Sequence, residues 1–472
     1  MALYSGLPSL HIETLTYQER DQTVLRNTAF PVLRPDLGPT EYLCFTMAET
    51  PWGDPAELRT RKLRPGRGNA EEVKRSQRER LFAAMVAALD DQDFEAITVA
   101  DLVRLSGVSR KAFYSHFADQ RECLIAAIEA LAGPALATIE AGLEHPGEVD
   151  LAKQAFENLF RRIVAQPATA KMCFVNVYAA GPAGVALVDR TIDAFEVLFK
   201  QMFDQMTGYE EMPSEVIRAL IGGVQKVIHK RLLRGEEKEL LELAPQLWDW
   251  LFLYPTPPGE LKPPRRVSRK TQTFEERQAA SLPPERILRA LAAVVSEKGY
   301  HETTVEDIVK RAKTSTRTFY DSFETKEDAM VAALDSGSQR MLAEAMPAFR
   351  RPNDWQHKIQ ATQEAMFSFG VLEPEYAHLG AVEIFEAGTR ALEQREVVTE
   401  GMEALLQHGV EVVNPSVSPI TPEAIGGALY TLFYDHVRKK GAKRLPEIVP
   451  PVVYVTLAPF LGPQEAFSLA TK

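Results

Sequence analysis

Residues 98–124 and 304–330 are one segment written twice. TVADLVRLSGVSRKAFYSHFADQRECL and TVEDIVKRAKTSTRTFYDSFETKEDAM superpose without a gap at a constant offset of 206. Identities fall at Thr98/Thr304, Val99/Val305, Asp101/Asp307, Val103/Val309, Ser109/Ser315, Phe113/Phe319, Tyr114/Tyr320 and Phe117/Phe323. Leu102/Ile308 and Lys111/Arg317 are conservative pairs, and the same offset sets Phe94 opposite Tyr300. The chain is a duplication, so it must be built from two units of one fold.

Each copy has the pattern of three short helices. In the first, Leu81, Met85, Ala88 and Leu89 recur at helical spacing. Thr98 caps a second helix that carries Val99, Leu102 and Val103 inward, Gly107-Val108 turns the chain, and Ser109 caps a third helix with Phe113 and Phe117 inward. In the second copy Ile287, Leu291, Val294 and Val295 mark the first helix, with Pro283 or Pro284 in its first turn, and Thr304 and Ser315 repeat the caps. Two helices joined by a turn of three or four residues make a helix-turn-helix.

Ser109-Arg-Lys-Ala-Phe-Tyr-Ser-His-Phe117 resembles the recognition helix of TetR-type transcriptional regulators, and Ser315-Thr-Arg-Thr-Phe-Tyr-Asp-Ser-Phe323 matches the same pattern. The likeness covers about 50 residues per copy. Two departures stand out: Lys313 replaces the usual turn glycine in the second copy, and Gln120 replaces a phosphate-binding lysine in the first, which Lys326 supplies in the second. The resemblance implies an all-α chain of two tandem units, each a helix-turn-helix domain followed by a helical ligand and dimerisation domain. It also implies that double-stranded DNA is the partner.

Groove geometry then assigns roles. A helix enters the major groove with its N-terminal side chains at base edges, while caps and flanking residues hold phosphates. In the first copy Arg110 and Lys111 are the base-reading candidates; Thr98, Ser109, Tyr114 and His116 are the backbone candidates. In the second, Arg317 with Thr316 and Thr318 faces bases, and Thr304, Ser315, Tyr320 and Lys326 face backbone. Arg110-Lys111-Ala112 differs from Thr316-Arg317-Thr318, so a single-chain pseudo-dimer would read two unlike half-sites. The alternative is a regulator or adaptor in which only the first helix-turn-helix binds DNA and the second is structural.

The remaining sequence sets the expected organisation: an N-terminal extension without regular structure over 1–58, a basic arm and first DNA-binding domain over 59–125, and a helical domain over 126–254. A Pro-rich basic linker follows over 255–280, then a second DNA-binding domain over 281–331 and a second helical domain over 332–472. Helices are expected over Arg121–Leu143, from Leu187 to Met206, and over Ser214–Leu233, Leu240–Leu253, Lys326–Ala348, Trp355–Gly370, Glu383–Val413 and Glu423–Lys440. Ile221-Gly222-Gly223 and Ile425-Gly426-Gly427 place paired glycines inside late helices, where each costs about 1 kcal/mol relative to alanine. Close approach of the two helices would offset that cost, which predicts pairing of the two units within the chain, with a homodimer as a further option. Phe160, Phe174, Tyr178, Phe195, Phe199 and Phe203 in the first unit are available to a pocket for an apolar or aromatic effector. So are Trp355, Phe367, Phe369, Tyr376, Phe385, Tyr430 and Phe433 in the second. His229 and His436 are polar neighbours.

Charge and motif content exclude other classes. The net charge of −11 argues against a chain that coats nucleic acid over its whole surface. Local excess exists all the same: residues 59–80 carry nine Lys/Arg against three acids, and 262–278 carry six against two. There is no apolar run of membrane length, no secretory leader pattern, and no nucleophile elbow, HExxH or phosphate loop. Cys44, Cys123 and Cys173 are too far apart for a metal or redox motif. The expectation is a cytoplasmic regulator without cofactor, metal or enzymatic activity.

Overall fold

The structure is a computed structural model; it describes residues 50–60, 70–143, 149–262, 273–279, 281–385, 387 and 389–472. Residues 1–49 of the extension with Cys44, residues 61–67 of the first basic arm and residues 263–270 of the second lie outside the described residues. Among the described residues all regular structure is helical, and no helix is long and apolar enough to cross a membrane.

The first unit runs through α1 (Pro55–Thr60), α2 (Ala70–Asp91), α3 (Val99–Ser106), α4 (Arg110–His116), α5 (Gln120–Leu143), α6 (Val149–Ala165), α7 (Pro167–Phe174), α8 (Pro182–Asp204), α9 (Ser214–Arg234) and α10 (Leu240–Leu251). The second runs through α11 (Phe274–Ala279), α12 (Pro283–Lys298), α13 (Val305–Ala312), α14 (Thr316–Tyr320), α15 (Lys326–Arg350), α16 (Trp355–Leu372), α17 (Pro374–Ala381), α18 (Thr389–His408), α19 (Thr421–Lys440), α20 (Val449–Leu461) and α21 (Pro463–Ala470). From α2/α12 to α9/α19 the order of the two units is the same. The duplication therefore extends well beyond the repeated motif.

The glycine pairs do what their position requires. A Cβ on Gly222 would stand 2.0 Å from Oγ1 of Thr431, and one on Gly427 would stand 2.3 Å from Cβ of Lys226. Only glycine lets α9 and α19 come this close. Charge adds complementarity to the seam. Lys230 meets Glu403 at 3.1 Å, Arg231 meets Glu423 at 3.0 Å, and Lys226 pairs with Glu396. In the other direction, Arg438 of α19 meets Asp189 of α8 at 3.1 Å.

The two units differ in how the helix-turn-helix joins the rest. The first has its own core of Leu81, Phe82, Met85, Phe113, Phe117 and Leu124, closed by Met172, Val177 and Leu187. In the second, Ile287, Leu291, Ile308 and Phe319 are continuous with the main core that runs through both helical domains. A buried ionic cluster reinforces the second joint. Arg289 of α12 grips Glu373 bidentately at 2.6 and 2.8 Å, and Arg277 of α11 meets Glu373 at 3.2 Å and Glu375 at 2.7 Å. Arg340 of α15 reaches Glu285 at 2.5 Å.

Several expectations change. Residues 50–58, assigned to a structureless extension, form a turn closed by Gly53 N to Thr50 O at 2.8 Å and most of α1, which continues into the basic arm. Trp52 packs on Phe82 with ring centroids 5.2 Å apart, and so joins this segment to the core of the first head. Arg80 and Arg277, counted with the basic segments, are buried: Arg80 donates to Ser106 O at 2.6 and 2.9 Å, and Arg277 is in the ionic cluster. The start of the linker is also packed, since Tyr254 is fully buried and Tyr454 donates to Pro255 O at 2.5 Å.

The helix expected over 383–413 is divided. Glu383–Phe385 is a 3-10 turn, α18 begins at Thr389, and a π turn covers Gly409–Val413. At Gly409, where the π turn starts, the backbone passes close to Trp355, for a Cβ there would lie 2.5 Å from its ring. Helix α5 passes through Pro134 without ending. The last helices were not expected. Prolines at 450, 451 and 459 obscure α20, which is buried on every side and so has no amphipathic period to read.

Candidate nucleic-acid interface

Local hydrogen bonding builds both helix-turn-helix motifs. Thr98 caps α3 with a full capping box: its hydroxyl accepts from Asp101 N at 3.3 Å and donates to Asp101 Oδ2 at 2.6 Å, while Thr98 N donates to that carboxylate at 3.1 Å. Thr304 and Asp307 repeat the arrangement at the start of α13, at 3.2, 2.6 and 3.0 Å. These bonds lower the Asp101 pKa; that of Asp307 is lowered first by the hydrogen bond from Lys298 and then by its cap. The spacing Thr-x-x-Asp carries this signal in the sequence, and it explains why both aspartates recur. The hydroxyls of Thr98 and Thr304 are thus committed to the caps, and the first-turn amides are what each helix start offers a phosphate.

Gly107 ends α3 in the left-handed region with φ 62°, and Lys313 ends α13 there with φ 52°. The motif keeps its turn despite the missing glycine. Ser109 Oγ then accepts from Ala112 N at 3.2 Å, and Ser315 Oγ from Thr318 N at 3.1 Å. Thr318 also shares a hydrogen bond with Ser315 Oγ at 2.9 Å, so it belongs to the cap. Phe113 and Phe319 are fully buried and fix the roll of α4 and α14.

That roll decides which side chains face outward. In the first head Arg110 and Lys111 are exposed, and Tyr114 is 50% exposed with the Arg110 guanidinium 5.8 Å from its ring centre. In the second, Thr316 and Arg317 are exposed and Tyr320 is 56% exposed. Each head presents two N-terminal side chains and a tyrosine one turn on. The other candidates point elsewhere. His116 is half-buried, its Nε2 bonded to Gln77 Oε1 of α2 at 3.0 Å; burial, then the charges of Arg78 and Lys74, lower its pKa. Lys326 donates to the carbonyls of Tyr300 and Thr303 at 2.8 and 2.9 Å and lies 4.2 Å from the Tyr300 ring centre, with its pKa lowered by burial. It ties α15 to the loop before α13.

Burial, then the charges of Arg121 and Lys326, lower the pKa of His301 in the second head. In the first helical domain lies a cavity of about 270 Å³ lined by Phe174, Phe195 and Phe199 among others, with Pro51 and Leu131 also on its wall. Phe160 and Phe203 are instead closed core, and Tyr178, Phe385 and Tyr430 line a space of about 70 Å³ between the units. Trp355, Phe367, Phe369 and Tyr376 are core, and Phe433 packs against it. His229 and His436 are satisfied by the carbonyls of Phe174 and Arg444, each at 2.8 Å.

The sequence profile of bacterial regulatory proteins of the tetR family matches residues 81–127 and again residues 287–333, the two heads just described. Comparison with curated proteins finds no match. Among solved structures, the chain is similar to the fatty acid degradation regulator FadR from Bacillus halodurans, with TM-score 0.34 and 22% identity over 38% of this chain and 95% of that one. It is also similar to the transcriptional regulator FadR from Bacillus subtilis in complex with stearoyl-CoA, with TM-score 0.31 and 16% identity over 38% of this chain and 98% of that one. The chain is a TetR-type DNA-binding transcriptional regulator in which the family's DNA-binding domain occurs twice.

Proposed function

We propose that the chain acts in the cytoplasm as a single-chain pseudo-dimer, a ligand-responsive repressor that reads an asymmetric operator. The observation that carries this reading is the pair of unlike outward faces, Arg110-Lys111-Tyr114 and Thr316-Arg317-Tyr320, held in one chain by the α9–α19 seam. In the major groove Arg110, Lys111 and Arg317 suit guanine edges, and the tyrosines and first-turn amides suit phosphates. Two different heads read two different half-sites, as two identical heads read a palindrome.

Response to an effector requires a ligand that binds one arrangement of the heads better than the other. The cavity of the first unit supports such a response. Its wall includes Leu187, which also closes the core of the first head, and Pro51, which adjoins Trp52 on Phe82. Filling it bears on the first head, whereas the ionic cluster fastens the second.

Selection of sites from random duplex DNA at one fixed salt concentration tests the reading. Two unlike half-sites are expected. A palindrome of one repeated half-site would overturn it and leave a regulator in which the second head is structural.

A further inference from the structure

We infer that the cavity of the first unit takes an amphipathic anion, an apolar chain whose acidic head meets Arg162, and that each chain takes one. The inference rests on the ligand-responsive reading above and names its ligand class. Most of the wall is apolar: Phe156, Leu159, Phe195, Phe199 and Met202 surround the space with Trp248. At about 270 Å³ it stands near the lower end of ligand pockets, which run from about 300 to 1,000 Å³, and suits a slender chain better than a broad ring system.

The polar groups on the wall are few: Thr191, whose hydroxyl donates to Leu187 O, Gln225, and three on one helical stretch. Arg162, Gln166 and Thr169 follow one another at helical spacing from the end of α6 into α7. Arg162 is exposed and forms no ion pair among the described residues, while its neighbour Arg161 is held by Glu157 at 3.0 Å. Thr169 is only 8% exposed, and its side chain makes no hydrogen bond among the described residues. A hydroxyl that makes no hydrogen bond among the described residues and an exposed guanidinium with no ion pair among them, both on the wall of an apolar cavity, fit a carboxylate or phosphate head joined to an apolar tail.

The second unit has replaced each of these groups. At the offset of 207 that sets Pro167 against Pro374, Arg162 corresponds to Phe369, Gln166 to Glu373 and Thr169 to Tyr376. Phe369 is buried, Glu373 is gripped by Arg289, and Tyr376 is 4% exposed with its ring 3.2 Å from where a Cβ of Gly337 would be. At the offset of 206 that aligns the starts of α5 and α15, Gly337 stands where the first unit has Leu131. The same place in the fold is filled by a tyrosine and a structural ion pair, so the duplication has left one binding site in two units.

Binding of palmitate, 1-hexadecanol and palmitoyl-CoA to the full chain by calorimetry tests the proposal, with DNA affinity measured in parallel. One equivalent of an anionic probe is expected, bound about tenfold tighter than the alcohol, as a charge-assisted hydrogen bond provides. Arg162→Ala, at an exposed position, should abolish that difference, and Thr169→Tyr should block binding. Binding of palmitate assigns the head to a carboxylate; binding of palmitoyl-CoA alone assigns it to the phosphates of a carrier. Two equivalents per chain, an alcohol bound as tightly as both anions, or anion binding indifferent to Arg162→Ala would overturn it. Anion binding on these terms without any change in DNA affinity supports the site and overturns the ligand-responsive reading instead.

Discussion

Lys313 and Gly107 hold the same left-handed backbone at the turns of their helix-turn-helix motifs, with φ of 52° and 62°. A side chain in that region costs about 1–2 kcal/mol. Lys313→Gly should therefore stabilise the second head by roughly 1 kcal/mol, after the entropy of the glycine in the unfolded chain is counted. Gly107→Ala should do the reverse, because the added Cβ also meets Arg59 Cγ at 2.9 Å and Arg80 Nη2 at 3.0 Å. Denaturant unfolding of the two variants checks both signs; equal effects would refute the argument.

The α9–α19 seam gives a sharper contrast. Gly222→Leu drives atoms into Thr431 across the seam and should destabilise the chain by about 3 kcal/mol or more. Gly401 lies exposed in α18 with nothing within 4 Å of its missing Cβ. Gly401→Ala should raise stability by up to about 1 kcal/mol. Thermal melts of the pair separate close approach from helix propensity.

The ionic cluster predicts a large penalty for half-removal. Glu373→Leu leaves Arg289 and part of Arg277 buried without their carboxylate, and breaking such a pair costs about 3–5 kcal/mol when it is fully enclosed. With Arg340 partly exposed nearby, the lower end, about 3 kcal/mol, is expected. Hydrogen exchange should show α12 opening more readily than in the parent; an unchanged α12 would count against the cluster as the fastening of the second head.

His116 makes the first head sensitive to acid. Its folded pKa is held below the ordinary 6.5 by burial and by Arg78 and Lys74, so the unfolded chain takes up the proton first. The stability this confers is fully present above about pH 6.5 and is lost as pH falls from there through the folded value. His301 and His436 shift in the same direction, which makes the comparison with a variant essential. His116→Gln should unfold with a shallower pH dependence below about pH 6.5; an unchanged slope would show that His116 is already accessible to protons.

Much of the fold was legible because it depends on near neighbours. The caps Thr98, Thr304, Ser109 and Ser315 bond three residues ahead, and the inward Phe113 and Phe319 follow from helical period, so both motifs could be read from a few dozen residues. The glycines of α9 and α19 pointed to a seam for a similar reason, since residues that cost a helix stability need a return. The outward set Arg110, Lys111, Tyr114, Thr316, Arg317 and Tyr320 was legible too, as the remainder of those helices.

The fates of Lys326 and His116 were not legible, because their partners, the carbonyls of Tyr300 and Thr303 and the amide of Gln77, lie 23 to 39 residues away. Nor was the division of labour between the units. By itself the sequence determined two helical units with two outward-facing heads, through hydrogen bonds and periodicities that close within a turn or two of helix. Only the tertiary structure decided that the first unit holds a cavity and that Tyr376 and the Arg289–Glu373 pair are buried in the second. Packing and burial depend on groups 84 residues apart meeting in a space of fixed volume, and no local pattern records that meeting.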